Sequence, residues 1–105
     1  PRCFGAAPRF IKTAQKIKLP LETAIKKLTS LPAKKMGLQR RGEIKINNFA
    51  DLVIFDPLKL TDKATYENPY QFSRGIQYLF VNGKAVIAQG EITRQMPGRV
   101  LRRDL

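Results

Sequence analysis

The sequence predicts an α+β chain: helices first, then about four to five short, mostly antiparallel strands. Three observations carry this. Apolar residues before residue 42 recur at helical spacing, and after it they alternate or form short runs. Asn82-Gly83 lies between two such runs, the dipeptide that best favours a tight hairpin. Residues 1–45 hold twelve basic residues against Glu22 and Glu43, whereas residues 46–105 are close to neutral, so composition changes where periodicity does.

The elements follow in order. Phe10, Ala14 and Ile17 form an amphipathic stripe over Arg9 to Ile17, with Lys12, Lys16 and Lys18 outside it. Pro20 suits a first helical turn, and Leu21, Ala24, Ile25 and Leu28 continue at i, i+3, i+4, i+7. Glu22 near the start and Lys26 and Lys27 near the end suit the helix dipole. Ser30 or Leu31 caps a further helix, with Pro32 near its first turn and Gly37 as a left-handed stop. Glu43-Ile44-Lys45-Ile46 alternates like a half-exposed strand, and Asn47-Asn48 turns the chain. Leu52-Val53-Ile54-Phe55 is continuously apolar, as in a strand covered on both faces, and Asp56-Pro57 ends it. Residues 58–74 read as a long loop held to the core by Tyr66, Tyr70 and Phe72. Gln77 to Val81 and Lys84 to Ala88 form a hairpin, Gln89-Gly90-Glu91 turns again, and a last extended piece runs through Val100 and Leu101.

Composition excludes much catalysis by the chain itself. Its 105 residues suit one core, well short of the roughly 250 of a complete (β/α)₈ barrel. With no His and only Cys3, it has no Ser-His or Cys-His catalysis, no usual zinc site and no internal disulfide. Asp51 and Asp56 are five apart on either side of the apolar run, so they make turn bonds rather than a carboxylate pair. Asp62, Glu67 and Glu91 lack metal-ligand spacing, and Cys3 is read as a structural thiol. No apolar run reaches a membrane span, no signal peptide is evident, and the lone Cys suits a reducing cytoplasm. Starting on Pro1 without Met, the chain is expected to be a piece of something longer. The charge of +12 raises nucleic-acid binding, but the aromatics fall away from the lysines, so a solvated helical face is the preferred reading.

Read together, the segments resemble the C-terminal end of the N-acyl-D-amino-acid deacylases, or D-aminoacylases, of the amidohydrolase superfamily. Pro1-Arg2-Cys3-Phe4-Gly5 with Pro8-Arg9-Phe10 is similar to the family's His-Pro-Arg-x-x-Gly segment after the last barrel strand. Residues 21–33 resemble its helix pair. Gly42-Glu43-Ile44 with Ala50-Asp51-Leu52-Val53-Ile54-Phe55-Asp56-Pro57 is similar to a signature shared across the superfamily. Gly75-Ile76 through Gly83, and Pro97-Gly98-Arg99-Val100-Leu101-Arg102, resemble the closing strands of the deacylase branch. Asn47 stands where the family commonly has Gly, in a turn that Asn can also make.

The resemblance implies that residues 1–41 are terminal helices of a (β/α)₈ barrel. Residues 42–105 are then part of a small β-sandwich completed by N-terminal strands of the parent. It further implies zinc-dependent cleavage of N-acyl-D-amino acids to a free amino acid and a carboxylate, with the His ligands and the catalytic Asp preceding Pro1. No catalytic or metal-binding residue is therefore assigned to this chain, which is expected to bind no zinc and to be inactive alone. Arg2 matches the family's arginine for the substrate carboxylate, a pairing a planar guanidinium makes well. The expected partners are the N-acyl amino acid and the missing N-terminal part, or a second copy if that part is absent. Two alternatives stand beside this: a basic nucleic-acid-binding module, and a structural or interaction domain that has lost catalysis.

Overall fold

The computed structural model describes residues 2–102, so Pro1 of the Pro1-Arg2 segment lies outside the described residues. The chain forms three helices and then an antiparallel sheet: α1 (Arg2–Lys16), α2 (Leu21–Leu28), α3 (Ser30–Met36), β1 (Leu52–Phe55), β2 (Ile76–Val81), β3 (Lys84–Ala88) and β4 (Glu91–Ile92). The strands lie side by side in chain order. This is the α+β arrangement that the periodicity predicts.

The first helix begins well before Arg9, because Pro8 is accommodated inside it. An interior proline costs about 3 kcal/mol, since it has no N–H for the carbonyl four residues back. Here that carbonyl belongs to Phe4, and the Ser73 hydroxyl donates to it at 2.7 Å. A side chain from a distant loop thus fills the vacancy that the proline leaves. The second and third helices form where expected: Pro20 stands at the N-cap position of α2, Thr29 rather than Ser30 or Leu31 stands at that of α3, and Gly37 ends α3 in the left-handed region at φ 71°.

The loop at residues 56–75 packs on α1. Leu60 and Ala64 from the loop are buried, as are Ile11 and Ala14 of α1. Arg9 pairs with Asp62 at 2.9 Å, Lys12 donates to Thr61 at 3.0 Å, and Gln15 donates to the Pro57 carbonyl at 3.1 Å. Gly5 makes room for the approach, since a Cβ there would lie 3.0 Å from that of Asp62. The aromatics do less than expected. Tyr70 and Phe72 pack edgewise or tilted on Phe4 but stay largely exposed, and Tyr66 is 90 % exposed. Small apolar residues and polar bonds hold this loop instead.

Three strand expectations fail. Residues 43–46 form no strand, and Ile44 and Ile46 are about 90 % exposed (89 % and 93 %). Alternation can organise a strand only where a neighbour offers ladder bonds, and none of the described residues pairs with this segment. The piece through Val100 and Leu101 is likewise extended without joining the sheet. Nor is β1 covered on both faces: Val53 and Ile54 are 47 % and 50 % exposed, and β1 pairs only with β2.

The turns behave as their chemistry dictates. Asn82 and Gly83 both have positive φ (49° and 80°), giving the twisted turn that joins β2 to β3. Gln89 and Gly90 repeat it before β4, and Asn47 reaches φ 70°. Asp56 caps its own turn by accepting from the Leu58 N–H at 2.9 Å. Asp51, expected to bond locally, instead reaches across to the hairpin: one oxygen accepts from the Asn82 N–H at 2.8 Å and the other from Arg41. In place of a strand, residues 43–46 carry an ion pair. The Lys45 ammonium donates to Glu43 at 2.5 Å, and with the charges of Lys26 and Lys34 it holds that carboxyl below its ordinary 4.5.

Three outcomes are expected. Ser73→Ala should destabilise the fold by ~1–2 kcal/mol in chemical denaturation. The loss should shrink sharply in a Pro8→Ala background, where a backbone N–H replaces the hydroxyl; equal losses in both backgrounds would rule out the compensation. Asp51→Ala should cost about 2 kcal/mol, more than Asp56→Ala, because it leaves the largely buried Arg41 without its counter-charge. Finally, the depressed Glu43 pKa means that its pairing supports the fold above the unfolded-state pKa and is lost as pH falls through the folded one. An NMR titration should place the Glu43 midpoint below 4.5 and move it upward in Lys45→Gln.

Candidate functional site

Arg2, the one binding residue expected from the sequence, opens α1 with its side chain exposed. It makes no ion pair with another described residue. Helix α1 is fixed from below by Ser73, Asp62 and Thr61, so the start of the helix is held while its first side chain stays available. A guanidinium so placed can offer two parallel N–H donors to a carboxylate. Cys3 beside it is exposed and free.

Metal donors are not gathered among the described residues. The sequence has no His, and among the described residues no group of three or more His, Cys, Asp or Glu gathers in one place. Asp51 is engaged by Arg41 and Asn82, Asp62 by Arg9, and Glu43 by Lys45. The described residues do not fit a zinc site.

Between the helices and β1 runs an apolar groove of about 500 Å³. Ile11, Ile25 and Leu28 line its helical wall, and Val53, Phe55 and Ile76 its sheet wall. Each lining residue reads singly as ordinary core, and the packing shows that none of the described residues fills the space. The outer edge of β1 is unpaired. A strand edge and apolar wall exposed together are unusual on a free surface.

Two groups of basic residues stand out. Lys12 and Arg9 are spent on the loop at residues 56–75. Lys26, Lys34, Arg40 and Lys45 instead line a cleft of about 560 Å³ beyond the end of α3. Among the described residues no helix is long and apolar enough to cross a membrane.

Comparison with known proteins gives this geometry its setting. Residues 11–92 match the amidohydrolase family. The chain is 44 % identical over 105 residues to the D-aminoacylase of Alcaligenes xylosoxydans xylosoxydans, covering 98 % of this chain and 22 % of that protein. A crystal structure of D-aminoacylase superposes with a TM-score of 0.87 at 44 % identity, over 94 % of this chain and 21 % of the other. The N-acyl-D-glutamate deacylase of Bordetella bronchiseptica, solved with zinc and a phosphonate mimic of the tetrahedral intermediate, superposes at 0.75 with 37 % identity over 87 % of this chain and 19 % of the other. The chain thus spans about a fifth of the relatives it matches. On the family match and on the agreement of sequence and fold with the deacylases, this chain belongs to the amidohydrolase family.

Proposed function

We propose that this chain is part of a hydrolase that cleaves the amide bond of N-acyl-D-amino acids, releasing a free amino acid and a carboxylate. The observation that carries the reading is the superposition on D-aminoacylase over almost the whole chain at 44 % identity. No relative supports the nucleic-acid module in the same way.

Within that enzyme, residues 1–41 belong to the end of the barrel and residues 42–105 to the small β-sandwich. Arg2, exposed at the start of a helix that is anchored elsewhere, binds the carboxylate of the substrate. It thereby orients the amide and selects for an acyl amino acid over a simple amide. Zinc and the groups that move protons belong to the part of the enzyme outside this chain, whose own donors do not fit a metal. The apolar groove and the free edge of β1 are where that part packs, or a second copy when it is absent. The 105 residues alone are therefore inactive. The lone Cys3 accords with a reducing cytoplasm.

The test is kinetic, on the polypeptide that joins this segment to its remaining part. It should hydrolyse N-acetyl-D-amino acids in the presence of zinc. Arg2→Ala should lower kcat/KM by about 100-fold, or ~2.7 kcal/mol, the scale of a charge-assisted bidentate pair. Arg2→Lys should recover only part of it, and a substrate lacking the carboxylate should be indifferent to both changes. Unchanged kinetics in Arg2→Ala would remove Arg2 from the site, and absence of any deacylase activity would overturn the reading itself.

A further inference from the structure

Beyond α3 the chain turns back through Gly37 and residues 38–48, and these loops and α2 enclose the basic cleft. Arg40 lines it with a fixed side chain. Its backbone sits at φ 60°, a left-handed conformation that costs a non-glycine residue roughly 1 kcal/mol. Its side chain is held twice: Nε donates to the Asn47 carbonyl at 2.5 Å, and the guanidinium carbon stands 4.8 Å from the centre of the Phe49 ring. The remaining Nη donors have no hydrogen bond or ion pair among the described residues. Neighbouring Arg41 is different, since both its Nη groups are taken by Asp51 and Asn82. Arg40 is thus a strained, immobilised guanidinium with a free fork, and such strain concentrates where a side chain has a task.

Lys26 comes to the same cleft from α2, Lys34 from α3 and Lys45 from the following loop. Glu43 is the only acid in the lining, and it is paired with Lys45. Arg41 also lines the cleft but is neutralised by Asp51, so Lys26, Lys34, Arg40 and Lys45 against one carboxylate leave an unbalanced charge around a space much larger than one phosphate group. We propose that this cleft binds a polyphosphate-type oxyanion, with the Arg40 Nη groups as its bidentate seat and Lys26, Lys34 and Lys45 as surrounding point charges. Nucleic acid fits less well: binding of single strands needs aromatic faces for bases, and the Phe49 ring is already occupied by Arg40 and by Arg41 at 4.2 Å.

Calorimetric titration of the full chain with sodium tripolyphosphate at ~0.15 M salt tests the site. One-to-one binding is expected, tighter than that of orthophosphate. Arg40→Gln should weaken it by about ten-fold and Lys34→Gln by several-fold, whereas Lys84→Gln on β3 should leave it unchanged. Arg40→Asn serves as a second variant, because Asn tolerates the left-handed backbone and keeps the loop intact. Glu43→Gln should tighten binding by removing the resident carboxylate. Equal weakening by Lys84→Gln would show diffuse charge only and overturn the site. Absence of binding at millimolar tripolyphosphate would overturn it too, as would tight binding of a mixed-sequence RNA that is indifferent to Arg40.

Discussion

The fold turns on the ion pair and hydrogen bonds that join Arg41, Asp51 and Asn82. Arg41 follows the helices, Asp51 precedes β1, and Asn82 forms the turn between β2 and β3. Arg41 donates to both others, while the Asn82 N–H returns a bond to Asp51 and its side-chain amide donates to the Pro97 carbonyl at 2.8 Å. Packing of Arg41 over Phe49 shields the pair from water, leaving the Arg41 side chain 11 % exposed. A charge desolvated to that degree is tolerable only when its partners are in place, so the three segments are held together or not at all. The Gly83 N–H adds a bond to the Ala50 carbonyl at 3.0 Å, tying the hairpin turn to the approach to β1.

A second linkage joins the first helix to the loop before β2. Pro8 leaves the Phe4 carbonyl without a helical donor, and Ser73 supplies one from outside. The fit demands close approach: Gly5 faces Asp62, and Gly75 at φ 96° lies so near Leu60 that an added Cβ would stand 2.5 Å from its Cα. The chain therefore commits its polar groups to internal contacts along α1 while leaving the wall formed with β1 open. That division accompanies a segment covering about a fifth of the length of its relatives.

Much of this was legible in the residues. The helix starts at Pro20 and near Ser30, the stop at Gly37 and the Asn82-Gly83 hairpin all follow from local backbone preferences that packing did not overrule. The Ala-Asp-Leu-Val-Ile-Phe-Asp run and the Pro-Arg-x-x-Gly start were sufficient to indicate the deacylases. Where reading went astray, the cause was a missing neighbour. Ile44 and Ile46 alternate as in a strand but have no ladder to join, and Val53 and Ile54 read as doubly covered although one wall of the groove stands open.

By itself the sequence determined the order of helix and strand, the turn positions, the family and the absence of histidine. These depend on intrinsic φ preferences, periodicity and residue chemistry, which do not need distant contacts. Only the tertiary structure decided that Pro8 lies inside a helix, that Asp51 bonds across the fold, and that Arg40 keeps a free fork while Arg41 does not. Each of these depends on which group arrives from far along the chain. A proline is tolerated, a carboxylate engaged or a guanidinium left free according to partners that local sequence does not name.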